Sequence, residues 1–322
     1  MKAVVQVGYG SSPGVLQLDE IETPSIGDKQ VLIQVHAASV NALDWHLTRG
    51  KPYFLRLMAG LRAPRDRVRG VDVAGIVHSA GKLVTRLKPG DAVFGGSDGS
   101  FAEYAVTTEG RVAAKPAAVS WEQAATLNVA GLTALQGLRD KARLRAGQSL
   151  LVVGAGGGVG SFAVQIGKWL GAHVTAVTRT GRVELVRSLG ADEVFDHGTY
   201  ALPSQPGFDV VFDVSGDRPM RQYRHALAPQ ATFVAVGGPA GNWFAPLDRL
   251  LKAIALSPFM KQRFVPFVAT PEPKDLALLA ELVETGALAP AIDKSYPLSE
   301  AGNAVVYVGA GSARGKVVVR VA

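Results

Sequence analysis

Five glycines fall within seven residues, Gly154 to Gly160, of the stretch "VVGAGGGVGSFAVQ" (152–165). An apolar pair precedes the run, and Val159, Phe162, Ala163, Ile166 and Leu170 follow on one helical stripe. Such a turn lets main-chain amides approach an anion, and the helix that follows adds the field of its dipole. A dinucleotide-binding turn needs small residues at three places: for the tight turn, for approach of a diphosphate, and for helix–strand packing. Aligned on the helix start, these are Ala155, Gly157 and Gly160, with Gly156, Gly158 and Val159 among them. The first is alanine where the motif has glycine. A merely flexible turn is the competing reading.

Specificity in such a unit is set roughly 20 residues further on, where an acid would take the ribose 2′-hydroxyl of NAD. Here the sequence reads "VTRTGR", with Thr178, Arg179, Thr180 and Arg182 and no acid before Glu184. A guanidinium pairs with a 2′-phosphate that a carboxylate would repel, so NADP(H) is expected over NAD(H). Two solvated surface arginines are the alternative.

Other chemistry is limited by composition. The 322 residues include no cysteine, which removes disulfides, thiolate nucleophiles and the usual ligands of structural zinc. His36, His46, His78, His173, His197 and His225 show no paired metal-ligand spacing, so no metal is expected. A net charge of +7 permits anionic ligands, but no nucleic-acid-binding pattern accompanies it and nucleic acid is not an expected partner. No apolar run reaches the ~20 residues of a membrane span. The start, "MKAVVQVGYG", runs straight into a strand pattern, so a cytoplasmic protein is expected.

The elements that must position the turn follow from periodicity. "QVLIQVHAASV" places Val31, Ile33 and Val35 on one strand face; "VDVAGIV" and "FAEYAV" read likewise, separated by glycine- and proline-bearing turns. Near residue 120 the style changes. Ser120 with Gln123 fits a capping box that starts a helix at Trp121. Strands at 149–153, 173–177, near Val194, at 209–214, 232–237 and 264–270 then alternate with helices, which predicts an α/β, doubly wound parallel sheet. A helix "KDLALLAELVET" ends at Gly286, and the closing "KVVVRV" is a strand expected to return to the first domain.

Several segments, "AASVNALDWHLTRG", "GVDVAGIV", "LKPGDAVFG", "AATLNVAGLTALQGL", "GAGGGVGSFAVQIGKWLGA", "SLGADEVFD", "FDVVFDVSG" and "GSARGKVVV", together resemble the medium-chain dehydrogenase/reductase superfamily, in its zinc-independent quinone oxidoreductase branch. The resemblance runs over essentially the whole chain. It implies a GroES-like β-barrel substrate domain over 1–120, completed by 271–322, and a Rossmann domain over 121–270. It also implies reduction by NADPH and a homodimer formed through "FVPFVAT". Where zinc-dependent relatives carry Gly-His-Glu, this chain has Gly70-Val71-Asp72.

The resemblance also suggests roles for particular residues. Asn41 would lie beside the nicotinamide, Asp44 would set its loop, and His46 and Tyr53 would face the substrate; without a metal, hydrogen-bond donors must stabilise charge on the acceptor oxygen. Plainer readings stand beside these: Asn41 capping a turn, Asp44 bonding backbone amides, His46 at the surface, and water in place of Tyr53 as proton donor. Thr133 and Asn128 match the segment that contacts nicotinamide, although Thr133 could bond into its own helix. Gly237 and Gly238 end a strand at the edge where dinucleotides lie, or simply end a strand. "LRLMAGLRAPRDRVRG" is either a site for an acyl carrier or coenzyme A thioester or a solvated basic face. The acceptor expected is a quinone or an enone. An NADP-dependent alcohol dehydrogenase or carbonyl reductase and a non-catalytic NADPH-binding protein are the alternatives.

Overall fold

The structure, a computed structural model, describes residues 1–201, 207–237 and 262–322. Gly238, Trp243 and Phe244 lie outside the described residues, as does nearly all of the loop at 240–262. The chain divides into two compact units: 1–132 with 270–286 and 290–322, and 133–269 with 287–289. Helix Trp121–Ala125 is seated on the strands of the first unit, its Trp121 ring stacked on His36 at 4.5 Å. Its capping box forms as expected, with Gln123 N donating to Ser120 Oγ at 3.1 Å and Ser120 N to Gln123 Oε1 at 3.0 Å.

The first unit is the GroES-like barrel. Strand Gln30–Val40 is its long central member, paired antiparallel with Asp72–Ala80 and with Lys316–Arg320. The C-terminal strand therefore does return to the first domain. Val31, Ile33 and Val35 are buried, with Val73, Val77 and Val93 in the same cluster. Helix Ala301–Gly309 packs Ala301, Ala304 and Val305 against Val40, Val317 and Val319.

The second unit is a six-stranded, wholly parallel sheet. Its order is Glu193–Asp196, His173–Thr178, Ser149–Val153, Phe208–Asp213, Leu227–Ala235, Arg263–Pro266. Chain order thus reverses at Ser149–Val153, the switch point at whose carboxyl end such folds bind dinucleotides. Helix Gly158–Trp169 is buried from Gly160 to Gly167 on every side, not only along the expected stripe. On the sheet, Phe233 lies 5.1 Å from Tyr223 and 5.6 Å from Phe264.

Candidate functional site

In the second unit, strand Ser149–Val153 ends at Gly154, whose φ of +85° is the left-handed turn that only glycine adopts readily. The amides of Gly154 and Ala155 both donate to Val177 O, at 3.0 and 3.1 Å, anchoring the turn to the next strand. The tight-turn requirement therefore falls on Gly154, one residue before the motif position, and Ala155 does not need positive φ. That explains the departure at 155. Gly160 is the packing glycine: a Cβ there would stand 2.2 Å from Gly154 O and 2.7 Å from Ala155 Cα. Gly157 differs, because a Cβ there would meet nothing nearer than Gly154 O at 3.6 Å. Its open side adjoins the first amides of helix Gly158–Trp169, which have no intrahelical acceptors. Turn, open approach and helix dipole fit a diphosphate. Gly154 was not among the expected site residues; the motif alone does not reveal which glycine takes positive φ.

The far end of this cradle is the second strand. A Cβ on Gly156 would lie 2.5 Å from Thr178 Oγ1 and 2.7 Å from both Cβ and Cδ of Arg182, so these three expected residues do meet. Arg179 and Thr180 are exposed beside them. The fold also brings in an acid that a scan along the chain passes over. Asp196, on the adjacent strand in register with Thr178, accepts from Thr180 Oγ1 and from Gly198 N. The Thr180 hydroxyl first, then the Gly198 amide, hold its carboxyl below the usual range. Gly237 packs closely on the turn after Phe208–Asp213, its Cβ position 2.3 Å from Val214 O.

In the first unit, the expected Asn41 and Asn128 meet at one buried carboxylate. Asp72 Oδ2 accepts from Ser39 Oγ (2.5 Å), Asn41 Nδ2 (2.8 Å) and Lys316 Nζ (3.3 Å). Asp72 Oδ1 accepts from Asn128 Nδ2 (3.0 Å) and Val129 N (3.1 Å), the latter in a π-helical turn, Leu127–Gly131. Lys316 Nζ also donates to Asn41 Oδ1 at 2.8 Å, so both ends of the Asn41 amide are engaged inside the unit. Asn128 is oriented by the same carboxylate, leaving its Oδ1 buried and without a partner among the described residues. Asp72 and Lys316 were not among the expected site residues. They lie in two quoted segments, "GVDVAGIV" and "GSARGKVVV", but 244 positions apart, a pairing only the barrel reveals.

Asp44 accepts the Asn41 amide at 2.7 Å and caps helix Ala42–Arg49. Burial first, and the nearby Asp72 carboxylate, raise its pKa to about 7 against the pull of that amide, Lys316 and Arg69. Its Oδ1 and Arg69 Nη2 are buried without a partner among the described residues. His46, on the same helix, is half-buried; desolvation pushes its pKa down, which keeps the imidazole neutral. Tyr53 is half-buried, with Arg56 5.0 Å and Lys51 5.5 Å from its ring centre. Thr133, buried, belongs to the second unit. Among the described residues no group of three or more His, Cys, Asp or Glu side chains is placed to hold a metal.

A parallel sheet with a diphosphate turn, joined in one chain to a GroES-like barrel, defines a two-domain dinucleotide-dependent dehydrogenase or reductase. Comparison with known proteins agrees. Residues 27–117 match the alcohol dehydrogenase GroES-like domain, and residues 189–319 match the zinc-binding dehydrogenase family. The chain is 33% identical over 338 residues to a chloroplast envelope quinone oxidoreductase homolog of Arabidopsis thaliana, covering 99% of this chain and 98% of that protein. It is 34% identical over 335 residues to an NADPH-dependent alkenal/one oxidoreductase, chloroplastic, of the same plant, covering 99% and 79%. The structure of the quinone oxidoreductase from Coxiella burnetii superposes with a TM-score of 0.89 at 28% identity, covering 100% and 99%. The chain belongs to the medium-chain dehydrogenase/reductase superfamily, among its quinone oxidoreductase homologues.

Proposed function

We propose that the protein is an NADPH-dependent oxidoreductase that delivers hydride to a quinone or an α,β-unsaturated carbonyl without zinc. The observation that carries it is the glycine turn, open to a ligand at Gly157 and closed against the protein at Gly156 and Gly160. The acceptor class rests on the full-length similarity to quinone and alkenal/one oxidoreductases.

The roles divide by unit. Amides of Ala155 to Val159 hold the diphosphate, with Gly237 beside it. Thr178, Arg179, Thr180 and Arg182 take the 2′-phosphate; two guanidiniums outweigh the single carboxylate of Asp196, already engaged by Thr180 and Gly198. Asn128 Oδ1 and Thr133 serve the nicotinamide end. Asn41 and Asp44 act by shaping the loop, since both ends of Asn41 are held by Asp72 and Lys316. When bound, NADPH supplies the hydride. Neutral His46 and Tyr53 then stabilise charge on the acceptor oxygen as hydrogen-bond donors, with the proton coming from Tyr53 or from water.

Independence from zinc is supported by the absence of cysteine and by Asp72, whose two oxygens already accept five protein donors. A homodimer through "FVPFVAT" (264–270) is supported by the place of strand Arg263–Pro266 at the edge of the sheet among the described residues. The deciding experiment is NADPH oxidation after dialysis against a chelator, with a quinone, an enone and a simple ketone as acceptors, alongside NADP+ reduction with an alcohol. Turnover of the first two is expected. Turnover of only the ketone or alcohol would favour a carbonyl reductase, and cofactor binding without any turnover would favour a non-catalytic member.

A further inference from the structure

Two large apolar side chains in one short segment of the first unit stand in solvent: Leu57 is 69% and Leu61 67% exposed. They flank the end of helix Leu55–Ala59, and the segment is firmly built. Arg56, next to Leu57, lies over the rings of Tyr9 (4.4 Å) and Tyr53 (5.0 Å), and its Nε donates to Gly50 O at 2.9 Å. Tyr9 Oη donates to Gly60 O at 2.5 Å, and Arg65 N donates to Ala59 O at 2.8 Å, closing the loop that presents Leu61. Gly60 has φ +115°, and a Cβ there would fall 2.0 Å from Ala63 O, so the turn is specified by its glycine. Beside the leucines, Arg62, Arg65 and Arg67 are exposed and form no ion pair among the described residues; Asp66 is the only exposed acid in the stretch.

We propose that segment 55–67 is a docking surface for an anionic phospholipid membrane. The three guanidiniums match headgroup phosphates, and the two leucines are held where they can enter the acyl boundary between them. Charge complementarity alone would also suit an acidic carrier protein. The leucines held clear of the protein on the same loop favour lipid. No helix among the described residues is long and apolar enough to cross a membrane, and adhesion at the surface requires none. If the function proposed above holds, such docking brings the enzyme to acceptors dissolved in lipid. The adhesion itself stands on the surface alone.

The test is co-sedimentation of the full-length protein with vesicles of phosphatidylcholine, pure or mixed with phosphatidylglycerol, alongside assays with a water-soluble quinone. Binding to the mixed vesicles is expected, falling as salt is raised and at least tenfold weaker to the neutral ones, since each arginine near an anionic surface adds about fivefold. Arg62→Glu with Arg65→Glu should abolish it. Leu57→Ser with Leu61→Ser should weaken it about 30-fold or more while leaving the salt dependence intact. Soluble quinone turnover should be unchanged in both variants. No binding to mixed vesicles, equal binding by the variants, or capture of an acidic acyl carrier protein in place of vesicles would each overturn the proposal. Loss of quinone turnover with vesicle binding intact counts against the proposed activity alone.

Discussion

Replacing Gly157 by alanine separates the fold of the glycine turn from its ligand. Gly157 caps helix Gly158–Trp169 with φ −97° and ψ −179°, extended backbone that alanine adopts freely. The added methyl meets no protein atom nearer than 3.6 Å. Stability should fall by less than about 1 kcal/mol, the modest difference between alanine and glycine at an N-cap. The methyl does, however, occupy the open side by which a diphosphate reaches the helix amides. Loss of one charge-assisted hydrogen bond, about 1.5–3 kcal/mol, raises the Kd for NADPH about 10- to 100-fold. Gly160→Ala is the control in the other direction. Its methyl lies 2.2 Å from Gly154 O and 2.7 Å from Ala155 Cα, both main-chain atoms, so strand and helix must separate at a cost of about 3 kcal/mol or more. Thermal melting with fluorescence titration of NADPH reads both effects. A Gly157→Ala protein that binds NADPH like the parent would refute the assignment of this turn.

Three further outcomes follow from the same structure. Arg179→Ala with Arg182→Ala should weaken NADPH about tenfold or more and leave NADH unchanged, read by titration of each nucleotide; an equal loss for both would remove the arginines from the 2′-phosphate. Asp44 carries a pKa of about 7 in the fold against an ordinary 3.8, so the native state keeps a proton that the unfolded chain releases between those values. Stability therefore falls as pH rises through that window, by about 4 kcal/mol in total, and levels off above it. In denaturant melts Asp44→Asn should lack this slope, and parallel pH profiles for the two proteins would contradict it. Asp72→Asn should destabilise the barrel unit by about 3–5 kcal/mol by leaving the Lys316 ammonium buried without its counter-charge. Adding Lys316→Met should recover much of that loss, and urea unfolding midpoints showing no recovery would deny the coupling.

Local signals carried most of the architecture. Strands 149–153 and 173–177, the helix beginning beside Val159 and the Ser120–Gln123 capping box depend on residues within a turn or two of one another, and these were legible. What sequence could not supply was set by distance along the chain. Asp196 reaches Thr180 through strand register, and Asp72 meets Lys316 because two barrel strands flank Gln30–Val40. Helix Trp121–Ala125 packs with the first unit through the stack of Trp121 on His36, a contact 85 positions apart that a change of pattern at 120 does not reveal. Asn41 illustrates the same limit: its residue type suits a ligand contact, yet Lys316 and Asp72 hold both ends of its amide.

Isothermal titration of the protein with NADPH and with NADH tests the central claim most directly. One site per chain is predicted, tighter for NADPH by about tenfold or more, as a phosphate held by a guanidinium requires. Absence of heat with either nucleotide, or a preference for NADH, would contradict it.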